Sequence, residues 1–332
     1  MSNFKKIDKE EYKKLLEQTL FKTFFHELEW HEFLEKQFKW LKFEYYKYNP
    51  ASTDASQGGD EAILPLARFK VLGKERLISL PFCEYGGPLL LKTDINLEEF
   101  EKDVFKEFGK NIKIKFYPFT NIEKNSDMCT HWIENLKSEN EIWNSLRKTL
   151  RHEIKNAQEQ GLEIRASKDP KEIRKFYELY VANLRRKRTI PYPWQIVRFL
   201  CQNPSNELLL AFYKGRIVGG ALFLGYERMS HYFLSATDHK YRNLSITHLI
   251  IWEKVKHLIG KDIVLDLGAS PKGSKLEVFK SGWSNTEYPI YQIGIKRNEE
   301  NLRSSKLIRF VWSLLPNFVI QGLSSWLIKY RI

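Results

Sequence analysis

The residues of this chain best suited to chemistry are one carboxylate, one lysine and two sets of basic side chains. Asp266 sits in the apolar run Asp262-Ile-Val-Leu-Asp-Leu267. A carboxylate there either orients a polar group or pairs with a nearby lysine. Lys280 follows Phe279 and precedes Gly282 and Trp283, which fix its surroundings unless it is a solvated lysine on a short amphipathic helix. Arg147, Arg151 and Lys155 recur along one helical stripe, and Arg185, Arg186 and Arg188 form a second cluster. Each set suits a phosphate or makes an ordinary solvated face. Tyr85, Tyr232 and Tyr241 offer hydroxyl donors to a substrate or belong to the core. Gly86 and Gly87, between Tyr85 and Pro88, mark a backbone that bends sharply or approaches something closely. The 8 histidines show no metal-ligand spacing, and there is no Gly-x-Ser-x-Gly or Cys/His arrangement. The sequence therefore predicts no metal and no covalent intermediate on a nucleophile.

The elements that must position these residues follow from periodicity. Residues 9–48 carry helical patterns, and Asn49 to Asp60 reads as a loop. A hairpin runs out over Ala62 to Val71, turns at Leu72-Gly73-Lys74 and returns to Leu80. A helix from Leu97 to Phe108 and strands at Ile112–Tyr117 and Thr130–Leu136 close the first half. Ser138 and Glu141 form a capping-box pattern, and Ile142, Leu146, Leu150 and Ile154 extend one helix to Gly161. A strand at Leu162–Ala166, a helix from Asp169-Pro170 and a short helix at Trp194–Cys201 follow. Three strands then come in sequence, at Glu207–Tyr213, Arg216–Tyr226 and Ser230–Thr237. A helix from about Ser245 to Ile259, a buried strand at Asp262–Leu267, a helical turn at Phe279-Lys280 and a strand at Glu287–Lys296 complete the half.

With 332 residues the chain predicts two lobes, and 42% apolar residues give each enough to bury. Lys and Arg exceed Asp and Glu by 54 to 41, a net charge of +13. That balance suits phosphate, nucleic acid or an acidic membrane surface, or serves solubility. Three separated cysteines point to a reducing cytosol, and no segment resembles a signal peptide or a membrane span.

Strand, helix, helix, a three-stranded meander, helix and strand is the layout of the GNAT acyltransferase fold. Several motifs in order resemble the FemA/FemB aminoacyltransferases and their GNAT-related relatives. They are Phe24-Phe25 to Trp30, Leu80-Pro-Phe-x-x-Tyr-Gly-Gly-Pro88, Leu150-Arg-His-Glu-Ile-Lys-Asn-Ala157, Leu210 to Gly219, Asp266-Leu-Gly268 and Phe279-Lys280-x-Gly282. The resemblance implies an α/β (α+β) protein of two tandem GNAT-like lobes with mixed sheets. The expected division is 1–137, 138–300 and a C-terminal pair of basic amphipathic helices at 301–332, with the substrate cleft between the lobes. It implies transfer of an acyl or aminoacyl group to an amine, taken in relatives from charged tRNA and passed to a cell-wall precursor or surface polysaccharide. Lys280 matches the lysine that holds a phosphate or stabilises the oxyanion in that family. With it, Asp266 and Tyr232 are expected as catalytic. Tyr85, Gly86, Gly87, Arg147, Arg151, Arg186, Tyr241 and Phe279 are expected to bind substrate.

In GNAT enzymes that use coenzyme A, a Gly-rich turn before a helix takes the pyrophosphate. Here that position is Arg242-Asn-Leu-Ser245-Ile-Thr247, where hydroxyl residues replace both glycines. Arg242, Ser245 and Thr247 are thus candidates for donor phosphates or an ordinary helix cap, and no bound cofactor is required. The donor stays open between acyl-CoA and aminoacyl-tRNA, and the acceptor is expected to be phosphorylated or lipid-linked. A coenzyme-A-dependent N-acetyltransferase on a nucleotide- or lipid-linked amino sugar is the alternative enzyme. A non-catalytic basic protein that binds RNA or membrane is the alternative outside enzymology. The tail, 302–332, carries five basic residues and no acid among Trp, Phe and Leu residues, with Pro316 dividing it. It suits a membrane interface or two helices that close the second lobe. The expected place is the cytoplasm, with contact at the inner face of the membrane through this tail.

Overall fold

A computed structural model describes residues 2–50, 61–91, 95–116, 126–284, 286–295, 312 and 314–331. Its chain falls into two compact units. One comprises residues 1–129 with 288–301, and the other 130–287 with 302–331. The division thus falls before the 137/138 boundary read from the sequence, and residues 288–301 return to the first unit.

The first unit is built on a sheet in which β1 (Phe4–Ile7), β2 (Lys42–Tyr48), β3 (Ala62–Val71), β4 (Lys74–Ile78), β6 (Ile112–Lys115) and β14 (Gln292–Gly294) are neighbours in that order. β5 (Leu89–Leu90) pairs with β3. Three α-helices belong to it among the described residues. They are α1 (Lys9–Leu16), capped by Asp8, then α2 (Leu28–Gln37), and α3 (Leu97–Phe108), capped by Asn96. Residues 42–48, expected to be helical, form a strand instead. Their aromatic residues pack as cross-strand neighbours of β1 and β3, a packing that outweighs helix propensity. Most of Asn49 to Asp60 lies outside the described residues.

A second sheet, most of it in the second unit, is ordered β13 (Glu287–Pro289), β7 (Met128–Ile133), β12 (Val264–Pro271), β11 (Met229–Thr237), β10 (Arg216–Tyr226), β9 (Glu207–Tyr213) and β8 (Glu163–Ala166). The meander β8 to β11 is antiparallel, and β11 then runs parallel to β12. Helices cover both faces. α4 (Glu139–Ser145), α5 (Lys148–Glu159) and α8 (Ile246–Leu258) share a core with one face, while α6 (Pro170–Arg186), whose helix starts on an Asp169 cap and Pro170, lies on the other. Two consecutive glycines allow this close double packing. A Cβ on Gly219 would lie 2.8 Å from Ile246 of α8, and one on Gly220 would lie 2.9 Å from Phe176 of α6.

The single helix expected from Ser138 to Gly161 is two. Leu146 and Arg147 are both extended, and Ser138 makes no side-chain cap bond, so the capping box does not form. The stripe that suggested one helix is nonetheless buried throughout, because Ile142, Leu146, Leu150 and Ile154 all reach the same core across the break. The strand expected at Glu287–Lys296 is also divided, β13 joining one sheet and β14 the other. The Phe279-Lys280 turn belongs to a longer helix, α9 (Lys275–Ser281), capped by Ser274. α7 (Trp194–Gln202) matches the short helix read from the sequence. In the tail, Pro316 precedes α10 (Asn317–Leu327), which packs on α6, and the segment 302–311 lies outside the described residues.

Candidate active site

Strands β11 and β12 pair at only three positions, Met229 with Val264, Ser230 with Leu265 and His231 with Asp266. Beyond the last pair both strands continue without each other. A parallel ladder that stops inside a sheet leaves a parting between two strands, and the buried pair His231 and Asp266 is its last rung.

Asp266 is wholly buried. Its Oδ2 lies 2.5 Å from Nδ1 of His231, and its Oδ1 accepts from Thr130 Oγ1 at 2.6 Å and from the Gly268 N–H at 2.8 Å. An ionised carboxylate only accepts, so His231 donates to Asp266 through a proton on Nδ1, which leaves Nε2 as the ring nitrogen turned away from the carboxylate. Lys280, from α9, is also buried, and its Nζ donates to the carbonyls of Gly268 at 2.6 Å and Ala269 at 2.9 Å. One peptide segment of β12 therefore joins Asp266 to Lys280. Gly268 can serve both because it adopts φ +77°, a conformation that favours glycine.

Of the residues expected to act together, the structure gathers Asp266 and Lys280 but not Tyr232. Phe233 is an extra residue in β11, since Leu222 pairs with Leu234 and the next residue, Phe223, pairs with Tyr232. Tyr232 packs with the core beneath α8, its ring 5.5 Å from Phe223, whereas His231 and Phe233 face the side of Tyr192. Burial pushes the Tyr232 phenol up to about 12. Phe279 lies on the α8 side as well, 5.2 Å from the ring of His248. Burial holds His248 below its ordinary value.

The basic residues divide between the two faces. Arg147 immediately precedes α5 and Arg151 and Lys155 lie along it, so all three are on the α8 side. Arg186 ends α6 on the opposite face, bonded to Asn183 at 2.7 Å. They form two patches, not one. At the expected phosphate turn, Arg242 contacts His239 at 2.9 Å, Tyr241 packs on Tyr213 at 5.6 Å, and Thr247 lies in the first turn of α8. Ser245 is left-handed, with φ 50°, and makes no cap bond. Its hydroxyl donates to the Glu153 carboxylate instead. An acid thus occupies the neighbourhood where a phosphate was expected.

Tyr85, Gly86 and Gly87 belong to the first unit. Tyr85 is buried, and the Gly86 N–H donates to Lys115 O at 2.9 Å. A Cβ on Gly86 would lie 2.1 Å from Ser79 O, so the close approach inferred from the glycines is to the chain itself. Among the described residues, His131, Glu277 and Glu287 place ligand atoms within 4.8 Å of one another, and Lys272 pairs with Glu287 at 2.8 Å. Their wide sequence separation gave no metal-like spacing.

His231 and Thr130 escaped sequence reading. Their common partner was visible, but the pairing of β11 with β12 spans a helix. The strand starts read from the sequence, Ser230 and Asp262, are also out of register with the observed pairs.

Residues 144–281 match the model of the acetyltransferase (GNAT) domain. No curated protein matches the chain. The fold is similar to that in the crystal structure of FemX, with a TM-score of 0.61 and 14% identity over 90% of this chain and 99% of that one. It is also similar to a conserved protein of unknown function from Bacteroides thetaiotaomicron, with a TM-score of 0.52 and 10% identity over 89% and 100% of the two chains.

Proposed function

We propose that this chain, whose residues 144–281 match the acetyltransferase (GNAT) domain, is a FemAB-like acyltransferase that transfers an aminoacyl or acyl group to an amine of a phosphorylated or lipid-linked cell-envelope precursor. The observation that carries the reading is the linked set His231–Asp266–Gly268–Lys280 at the apex of the β11/β12 parting, inside the matched domain. Acyl transfer to an amine needs a base, charge stabilisation at the carbonyl and a water-poor place to hold both.

In this mechanism the acceptor nitrogen attacks the carbonyl carbon of the donor, and a C–N bond forms. The proton lost by the nitrogen goes to Nε2 of His231, which Asp266 holds in the required tautomer. The ammonium of Lys280, fixed by two carbonyls, stabilises the negative charge that develops on the carbonyl oxygen. The bond from the carbonyl carbon to the donor's oxygen or sulfur then breaks, and that atom leaves with the electron pair. Asp266 and His231 position and accept, Lys280 stabilises, and Tyr232 has no part in the step.

An aminoacyl-tRNA donor fits better than coenzyme A, because Glu153 engages Ser245 at the start of α8 and would repel a pyrophosphate there. An acyl-CoA-dependent transfer to an amino sugar is the second reading, supported by the match to the acetyltransferase domain. Wild-type protein offered charged tRNA or acetyl-CoA with amine acceptors, and scored for transferred label, distinguishes them. Equal transfer by wild type and by Lys280→Ala with every donor would remove the site from consideration.

A further inference from the structure

The face of α10 turned away from the protein is apolar. Its inner face is anchored on the second unit through Ile320 and Ser324, with Ile328 just after the helix, each at 0% exposure. Polar bonds fix the same side, Arg174 to Gln321 at 2.6 Å and Arg185 to Asn317 at 3.3 Å. On the outer side Phe318 is 75% exposed and Trp326 is 60% exposed, with Leu314 before Pro316 at 63%. Phe318, Gly322 and Trp326 recur every four residues, and a Cβ on Gly322 would meet nothing within 4 Å. These residues therefore form one open stripe along a helix that is already packed on its other side.

The rim of the stripe is basic. The ammonium of Lys329 lies over the rings of Trp326 and Tyr330 at 5.2 and 5.3 Å. Beside Phe318, a groove of about 500 Å³ between α6 and α10 is lined by Arg174, Arg185 and one acid, Glu178. Glu178 is paired with Lys175 at 3.1 Å. Residues 312–331 contain no acid.

We infer that α10 docks the protein on an anionic lipid bilayer. Leu314, Phe318 and Trp326 enter the interfacial layer, and Lys329 stays at headgroup level. Charge decides the occupant. An apolar stripe with a cationic edge and aromatic residues at both ends matches the boundary between acyl chains and anionic headgroups. The inference stands apart from the reaction proposed above. It concerns where the protein works and not what it transfers.

Vesicle co-sedimentation of the full chain tests it, with phosphatidylcholine alone and with phosphatidylglycerol added. The wild type should bind the anionic vesicles at least about tenfold more tightly than the neutral ones, and salt should weaken that binding. The double variant Phe318→Ser/Trp326→Ser should lose about tenfold or more in binding while keeping the circular dichroism and melting temperature of the wild type. Lys329→Glu should bind anionic vesicles less tightly and leave neutral ones unaffected. Equal binding of the wild type to both vesicle types, or unchanged binding by a folded double variant, would overturn the inference. So would a wild-type dimer in solution that the double variant dissolves, because the stripe would then belong to a second copy.

Discussion

Asp266 and Lys280 hold the same residue from its two ends, Asp266 Oδ1 accepting the Gly268 N–H at 2.8 Å and Lys280 Nζ donating to the Gly268 carbonyl at 2.6 Å. The negative and positive groups of the site are thus set by one peptide segment, and displacing either moves the other.

Asp266→Asn keeps an acceptor for Thr130 and Gly268 but presents an amide to His231 Nδ1. The imidazole then takes the wrong tautomer, and transfer should fall by about 10²–10⁴-fold while the protein stays folded. His231→Ala should lose activity to a similar degree, and added imidazole should restore part of it. A purely structural histidine would show no such rescue.

Lys280→Ala leaves two buried carbonyls that lose a charged donor. Stability should drop by roughly 1–3 kcal/mol in addition to the loss of transfer. Lys280→Arg separates the effects, because it keeps the charge. Denaturant titration beside single-turnover assays would show whether stability and rate part company.

Glu153→Gln removes the acid beside Ser245. Affinity for coenzyme A should then rise, as measured by calorimetry, with the gain screened by salt. An unchanged affinity would mean that phosphates do not approach the start of α8 at all.

Gly86→Ala should destabilise the first unit by about 3 kcal/mol, because a Cβ would lie 2.1 Å from Ser79 O. Gly73→Ala is the control. It has φ +79° but nothing within 4 Å, so only backbone strain of about 1 kcal/mol applies. Melting temperatures of the two variants should differ clearly.

Acid should weaken the first unit before it affects ordinary carboxylates. Burial pushes His26 and His31 down from 6.5 to about 3. The unfolded chain binds these protons near 6.5 and the folded chain does not, so the stability is complete above that value and lost as pH falls towards 3. The slope is at most about 1.4 kcal/mol per pH unit for each histidine. His31 bonds Phe25 O and the Tyr45 hydroxyl, and His31→Gln should flatten the urea midpoint against pH below neutrality.

Local signals in the sequence were legible because they are satisfied locally. Asp169 caps α6, Asn96 caps α3, and the strands Glu207–Tyr213 and Arg216–Tyr226 are bounded by their own turn at Lys214-Gly215. Errors arose where distant partners decide. Lys42 to Tyr48 is a strand because β1 and β3 flank it, and the 139–159 segment breaks at Leu146 although its apolar stripe is continuous. In the site, Asp266 and Lys280 stood out as residues in unusual company. The ladder that brings His231 to Asp266 joins strands 35 positions apart, and nothing near His231 in the sequence announces it.

The extra residue in β11 has a mechanical consequence. The Phe233 ring stacks on Tyr192 at 5.5 Å, and the Arg331 guanidinium lies over the Tyr192 ring at 4.1 Å while bonding Ile190 O at 2.7 Å. Phe233 itself lies 6.1 Å from the ring of His231. Three rings and a guanidinium therefore form a strut from the residues after α10 to the apex of the strand parting. Trimming residues 328–331 would remove the outer end of that strut, so a truncation far from the site in sequence would behave as a mutation within it.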